Sequence, residues 1–224
     1  MELLRQFGFK KIEMVDPQYD ETKIKKKIPI NKLVVELSFF KAKSVSNKLK
    51  KFNGFIISGD TEVFRCKEVF SKTNSRAKVR EYLSKLSGRR HFVYGGITVI
   101  SPDGQISKKS VKTEVFFNSI PNNEINNEML VQEGIGKAGG YAIQGLASKF
   151  IKKIKGSYTN VVGLSLSDLY LMLKGMGFKN WNFAQPIVIR IIKTNAQVAQ
   201  LVEQATENRC VGGSIPPLGT TLWI

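Results

Sequence analysis

The stretch from Phe92 to Ile120 limits the possible folds more than any other part of the chain. Phe92 to Ser101 is a long apolar run. From Val111 to Ile120, Val111, Thr113, Val115 and Phe117 alternate with Lys112, Glu114 and Asn118, the period-two pattern of a half-buried strand. The intervening Ser101-Pro102-Asp103-Gly104-Gln105 consists of turn formers, so the two runs predict an antiparallel hairpin. Strands of that length need a sheet to extend them and helices to cover them.

The helices are present on both sides in sequence. Leu33, Val34, Leu37, Phe40, Val45 and Leu49 recur at helical spacing and predict a helix from Asn31 to Lys51, with Lys41 and Lys43 flanking its apolar stripe. Asn74 or Ser75 opens a second helix carrying Ala77, Val79, Tyr82, Leu83 and Leu86. A short helix is expected at Met1 to Phe9, another at Asn122 to Gln132, and a longer one through Leu146, Phe150 and Ile154 with an outer face of lysines. Val161 to Leu164 reads as a short buried strand, and Ser167 as the cap of a last helix. Strands interleaved with helices give an α/β chain, one domain or a two-lobed domain at this length.

Within that frame the segment Gly54 to Thr61, GFIISGDT, reads as a buried strand that ends in an acid. Phe55-Ile56-Ile57 carries the backbone through the core and Gly59 leaves room for a close approach. Open α/β sheets gather their chemistry at the carboxyl ends of strands, which makes Asp60 a candidate general base or metal ligand. The plain alternative is an Asx-type turn.

Charge narrows the partners. Lys and Arg number 35 against 18 Asp and Glu, a formal +17 over 224 residues, which favours anionic ligands. The lysines are spread along the chain, as on a solvated face. Cys66 and Cys210 stand far apart and His91 is a lone histidine, so neither a disulfide framework nor a structural zinc site is expected. No apolar run approaches the roughly 20 residues that span a bilayer. The expectation is a soluble cytoplasmic protein with no membrane association.

A nucleotide enzyme needs phosphate donors, a carboxylate and a base contact. Lys41, Lys72 and Lys137 lie beside breaks where an ammonium can reach a triphosphate. The glycine-rich segment Glu133 to Gly145 suits a phosphate- or base-cradling loop, although it matches neither GxxxxGK[ST] nor GxGxxG. Gln144 offers a donor and an acceptor to a pyrimidine edge. Each has a bland reading as a solvated side chain, and His91 is expected to be structural.

The ordered segments Lys41-Ala42, SGDT (Ser58 to Thr61), Lys72, LSGRRH (Leu86 to His91), KAGGYAIQG (Lys137 to Gly145) and GSYTNVVGLSL (Gly156 to Leu166) together resemble the Maf family of nucleoside triphosphate pyrophosphatases. The resemblance spans Met1 to Phe178. It implies an inosine triphosphatase-like fold, a mixed sheet flanked by helices in two lobes around a cleft, often dimeric, and hydrolysis of a nucleoside triphosphate to monophosphate and pyrophosphate with a divalent cation, magnesium or manganese. By motif position it implies Asp60 as general base or metal-linked acid, Glu21 as a second acidic ligand, Lys41 and Lys72 as phosphate contacts, and Gln144, with Lys137 and Thr61, as substrate contacts. The AIQG form is similar to the branch acting on dTTP and UTP. Nucleic acid is not an expected partner.

The same resemblance carries departures. The family's opening strand and SxSPRR loop have no counterpart before Met1, Thr73 stands where a proline is usual, and Gly95-Gly96 where Thr-Gly is common. Residues 1–180 are expected to form the Maf-like domain and 181–224 a non-family extension, whose composition shifts from Asn195. A second reading is therefore a catalytically impaired relative that binds nucleotides or nucleic acid as a basic protein.

Overall fold

The computed structural model describes residues 2–9, 12–19, 24, 28–49, 54–178 and 189–192. In chain order these form α1 (Glu2–Gln6), β1 (Ile12–Val15), α2 (Ile30–Lys48), β2 (Phe55–Arg65), β3 (Glu68–Phe70), α3 (Arg76–Leu86), β4 (Arg90–Ile100) and β5 (Ile106–Phe117). Then come α4 (Asn122–Ile125), α5 (Glu128–Gly134), β6 (Ile151–Lys155), α6 (Tyr158–Val162), α7 (Leu166–Gly175) and β7 (Ile189–Ile192).

The strands make one seven-stranded sheet in the order β1-β7-β2-β4-β5-β6, with β3 paired to β2. β1, β7 and β2 run parallel, and the remaining pairs are antiparallel. The mixed sheet flanked by helices is thus as the sequence predicts. β4 and β5 form the expected hairpin, in register from Arg90 with Phe116 to Ile100 with Ile106. Ser75 caps α3, its hydroxyl accepting the Lys78 N–H at 3.3 Å.

Each face of the sheet has its own cover. On one, α2 packs Ala42 and Val45 against Ile56 and Ile100. On the other, Leu4, Leu169, Met172 and Leu173 cover Ile57, Ile97 and Val99. Further along that second face Val79, Leu83 and Leu86 cover Val63, Val93 and Val115. Gly95 and Gly96 allow close approach from opposite sides. A Cβ on Gly96 would lie 2.0 Å from the Val34 carbonyl oxygen, and one on Gly95 2.0 Å from Asn160 Oδ1. The backbone of α2 therefore rests directly on β4, while buried Asn160 pins α6 to the opposite face by donating to the Val93 carbonyl at 3.2 Å.

Several local expectations are corrected. β2 does not end at Asp60 but continues to Arg65, because residues 61–64 keep pairing with β4 and 63–65 also with β3. The expected helix through Leu146 and Ile154 is a 3-10 turn, Leu146–Phe150, followed by β6. The sequence IKKIK alternates in a strand as well as it lines a helix, and the edge of β5 is available to pair. Val161 and Val162 belong to α6, whose cap Ser157 accepts from the Asn160 N–H at 3.1 Å, rather than to a strand. Asn127 caps a new helix, splitting the expected Asn122 to Gln132 helix into α4 and α5. Ser165, not Ser167, precedes α7. β7, at Ile189–Ile192, joins the sheet by pairing with β1 and β2.

Candidate active site

β2 supplies the site because its pairing is incomplete on one edge. Toward β7 it pairs at Phe55, Ile56 and Ile57; toward β3 it pairs at Val63, Phe64 and Arg65. Between them, Ser58 to Glu62 face no described strand on that edge. The gap opens at the carboxyl ends of the parallel strands β1 and β7, the place where an open sheet exposes its chemistry.

Side chains alternate along β2, so Ser58, Asp60 and Glu62 share the face covered by α2. All three are buried, at 0%, 3% and 8% exposure. Lys41 comes from α2 onto the same face and is itself 1% exposed. Its Nζ donates to Asp60 Oδ1 at 2.7 Å. Lys41 therefore lies in the buried stripe of α2 rather than flanking it; Asp60 compensates a charge that would otherwise be too costly to desolvate. Phe40, expected in the stripe, is 37% exposed and stacks on Tyr19 at 5.7 Å.

The pairing leaves one carboxylate oxygen aimed elsewhere. Asp60 Oδ2 is buried with no hydrogen-bond partner among the described residues, and so is Ser58 Oγ. A buried acceptor without a donor is costly unless a ligand or water supplies one.

The other predicted residues come from separate elements, and among the described residues no side-chain hydrogen bond or ion pair joins any of them to the Lys41–Asp60 pair. Lys72 follows β3, half-buried, and Lys137 is half-buried at the start of the glycine turn. Their loops are joined by the Gly136 N–H donating to the Thr73 carbonyl at 2.9 Å. The turn Ala138–Gly140 lies against β2, where a Cβ on Gly139 would meet Val63 Cγ2 at 3.0 Å. Thr61 points to the opposite sheet face from Asp60, its hydroxyl 3.4 Å from the Gly163 carbonyl oxygen. Gln144 is exposed just beyond the turn. Glu21 lies outside the described residues. Residue-level reading of the sequence missed Ser58 and Glu62, although their two-residue spacing from Asp60 was a usable signal.

His91 stands apart from this group. It is fully buried, Nε2 lies 2.8 Å from the Tyr141 hydroxyl, and Phe117 stacks edge-on at 4.9 Å. Desolvation holds its pKa down to about 4, so the ring is neutral and structural.

A divalent cation implied by the resemblance can be tested against these donors. Carboxylate oxygens suit a hard cation, and Asp60 Oδ2 is a buried acceptor available to one. Among the described residues no three acidic, histidine or cysteine side chains cluster as a complete metal site. Asp60 fits as one ligand of a site completed by other oxygens, those of the substrate included.

The chain is similar in sequence to known proteins over most of its length. The profile of the family described as Maf-like protein matches residues 1–176. A dTTP/UTP pyrophosphatase of Paramagnetospirillum magneticum is 40% identical over 179 residues, covering 80% of this chain and 92% of the relative. That of Mesorhizobium japonicum is 38% identical over 193 residues, covering 83% and 92%. A Clostridium tetani protein of the same name is 37% identical over 170 residues, covering 74% and 86%.

Proposed function

Since this chain belongs to the Maf family, we propose that it hydrolyses dTTP and UTP to the nucleoside monophosphate and pyrophosphate. The observation that carries the proposal is the Lys41–Asp60 pair at the sheet gap, with one carboxylate oxygen bonded and the other directed at no described donor.

In the proposed reaction a water oxygen attacks the α-phosphorus while the α–β anhydride bond breaks and pyrophosphate leaves. Lys41 fixes the rotamer of Asp60 by occupying Oδ1, so that Oδ2 receives the proton of the attacking water. Lys41 thus acts on the carboxylate in this reading, in place of the phosphate contact that the motif implies. Lys72 and Lys137, on adjoining loops beside β2, supply positive charge to the leaving pyrophosphate. Asp60 and Glu21 would hold a divalent cation, which when bound neutralises triphosphate charge and orients the anhydride. The exposed Gln144 amide pairs with the donor–acceptor edge of thymine or uracil. Thr61, turned to the opposite face, supports the strand through Gly163.

The test is pyrophosphate release from dTTP and UTP with magnesium or manganese. Asp60→Asn is expected to lower kcat on the order of 10²- to 10⁴-fold, with circular dichroism separating that loss from the destabilisation caused by stranding the Lys41 charge. Wild-type turnover in that variant would remove Asp60 from the mechanism. The impaired-binder reading is not favoured by the relatives, and it predicts no metal-dependent turnover.

A further inference from the structure

Glu133 occupies a place that helix stability does not account for. It lies in the last turn of α5, where the helix dipole disfavours negative charge. Its Oε2 instead accepts the backbone N–H of Leu146 at 2.9 Å, and Oε1 is buried with no partner among the described residues. The carboxylate also presses against Gly145: a Cβ there would lie 1.9 Å from Oε2. One side chain thus touches two consecutive backbone positions directly after Gln144, and a Cβ at 145 would have to push the Glu133 carboxylate aside. The Gln144 amide itself is exposed and makes no hydrogen bond to another described residue. Its aim is then set by the backbone that carries it.

We propose that Glu133 is a positioning residue for base selection, holding Gly145 and Leu146 so that the Gln144 amide meets the 4-keto and N3–H edge of a thymine or uracil. The inference rests on the reading of Gln144 as the base contact. Thymine and uracil present an acceptor and a donor where cytosine presents the reverse, and an amide can turn over to suit either. Discrimination therefore requires the backbone at residue 144 to sit at a fixed distance and angle, which an unrestrained glycine turn would not provide.

The experiment compares kcat/KM for dTTP and dCTP in Glu133→Ala, Glu133→Gln and Gln144→Ala, with far-UV circular dichroism as the folding check. Glu133→Ala and Gln144→Ala are each expected to narrow the dTTP:dCTP ratio about tenfold, through a raised KM for dTTP, as for loss of one well-formed hydrogen bond. Glu133→Gln keeps an oxygen for the Leu146 N–H and is expected to retain the ratio. The double alanine variant should narrow it no further than Gln144→Ala alone, because both act on one contact. If Gln144→Ala narrows the ratio and Glu133→Ala does not, the positioning role is overturned. If Gln144→Ala leaves it unchanged, the base contact itself is misassigned. Gly145→Ala approaches the same contact from the other side and answers the question should Glu133→Ala fail to fold: an unchanged ratio there overturns the proposal.

Discussion

Lys41 on α2 and Asp60 on β2 form a buried ion pair, Nζ to Oδ1 at 2.7 Å with side-chain exposures of 2% and 3%. Removing one partner strands the other charge away from water. Lys41→Met is therefore expected to destabilise the fold by about 3–5 kcal/mol, whereas Lys41→Met with Asp60→Leu recovers most of that loss. Chemical denaturation of the two variants checks this. Equal stability of both would mean that the pair is not electrostatically buried.

Lys72 gives the contrasting case. It is half-buried on a loop with no ion pair among the described residues. Lys72→Gln should leave the unfolding midpoint unchanged and lower kcat/KM for dTTP by about a hundredfold, if its charge is used on the leaving group. Steady-state kinetics beside a melting curve separate the two effects.

Gly96 faces Asp60 across the β2–β4 ladder and admits the α2 backbone. In Gly96→Ala the helix must lift off the strand, which costs about 1–3 kcal/mol or more and carries Lys41 away from its partner. Loss of both stability and turnover is expected. Gly104→Ala, at a turn open to space, should cost only the strain of a positive φ of 85°.

Much of the scaffold was legible in sequence because its signals are local. The β4–β5 alternation, the Ser75 cap and the periodicity of α2 each report on neighbouring residues. The KAGGYAIQG and SGDT segments identified the family for the same reason. What stayed hidden depends on partners distant in the chain. Lys41 reads as surface until Asp60 is placed beside it; Gly95 and Gly96 read as a loose pair until Asn160 and Val34 fill the opposite sides. β6 reads as helix in sequence because an edge strand and an amphipathic helix can share the pattern IKKIK. Nothing near Glu133 in sequence signals its bond to Leu146, which is formed across the glycine turn.

His91 makes acid stability a measurable property. Burial keeps its folded pKa near 4 against 6.5 for the exposed ring, so between those values the unfolded chain binds more protons. Its contribution is complete above pH 6.5 and is lost as pH falls toward 4, by up to about 1.4 kcal/mol per pH unit. His91→Gln should be less stable at neutral pH yet show a shallower fall across that window, as read from urea midpoints at stepped pH. An unchanged slope would place the responsible group elsewhere.

β7 is inserted between β1 and β2, with Ile189 opposite Ile12 on one side and Phe55 on the other. During synthesis the antiparallel part from β2 to β6 can assemble from contiguous chain, but the slot beside β1 stays vacant until residues 189–192 leave the ribosome. β1 must wait for β7, and any pause in translation before that point holds an unfilled sheet edge open to other chains.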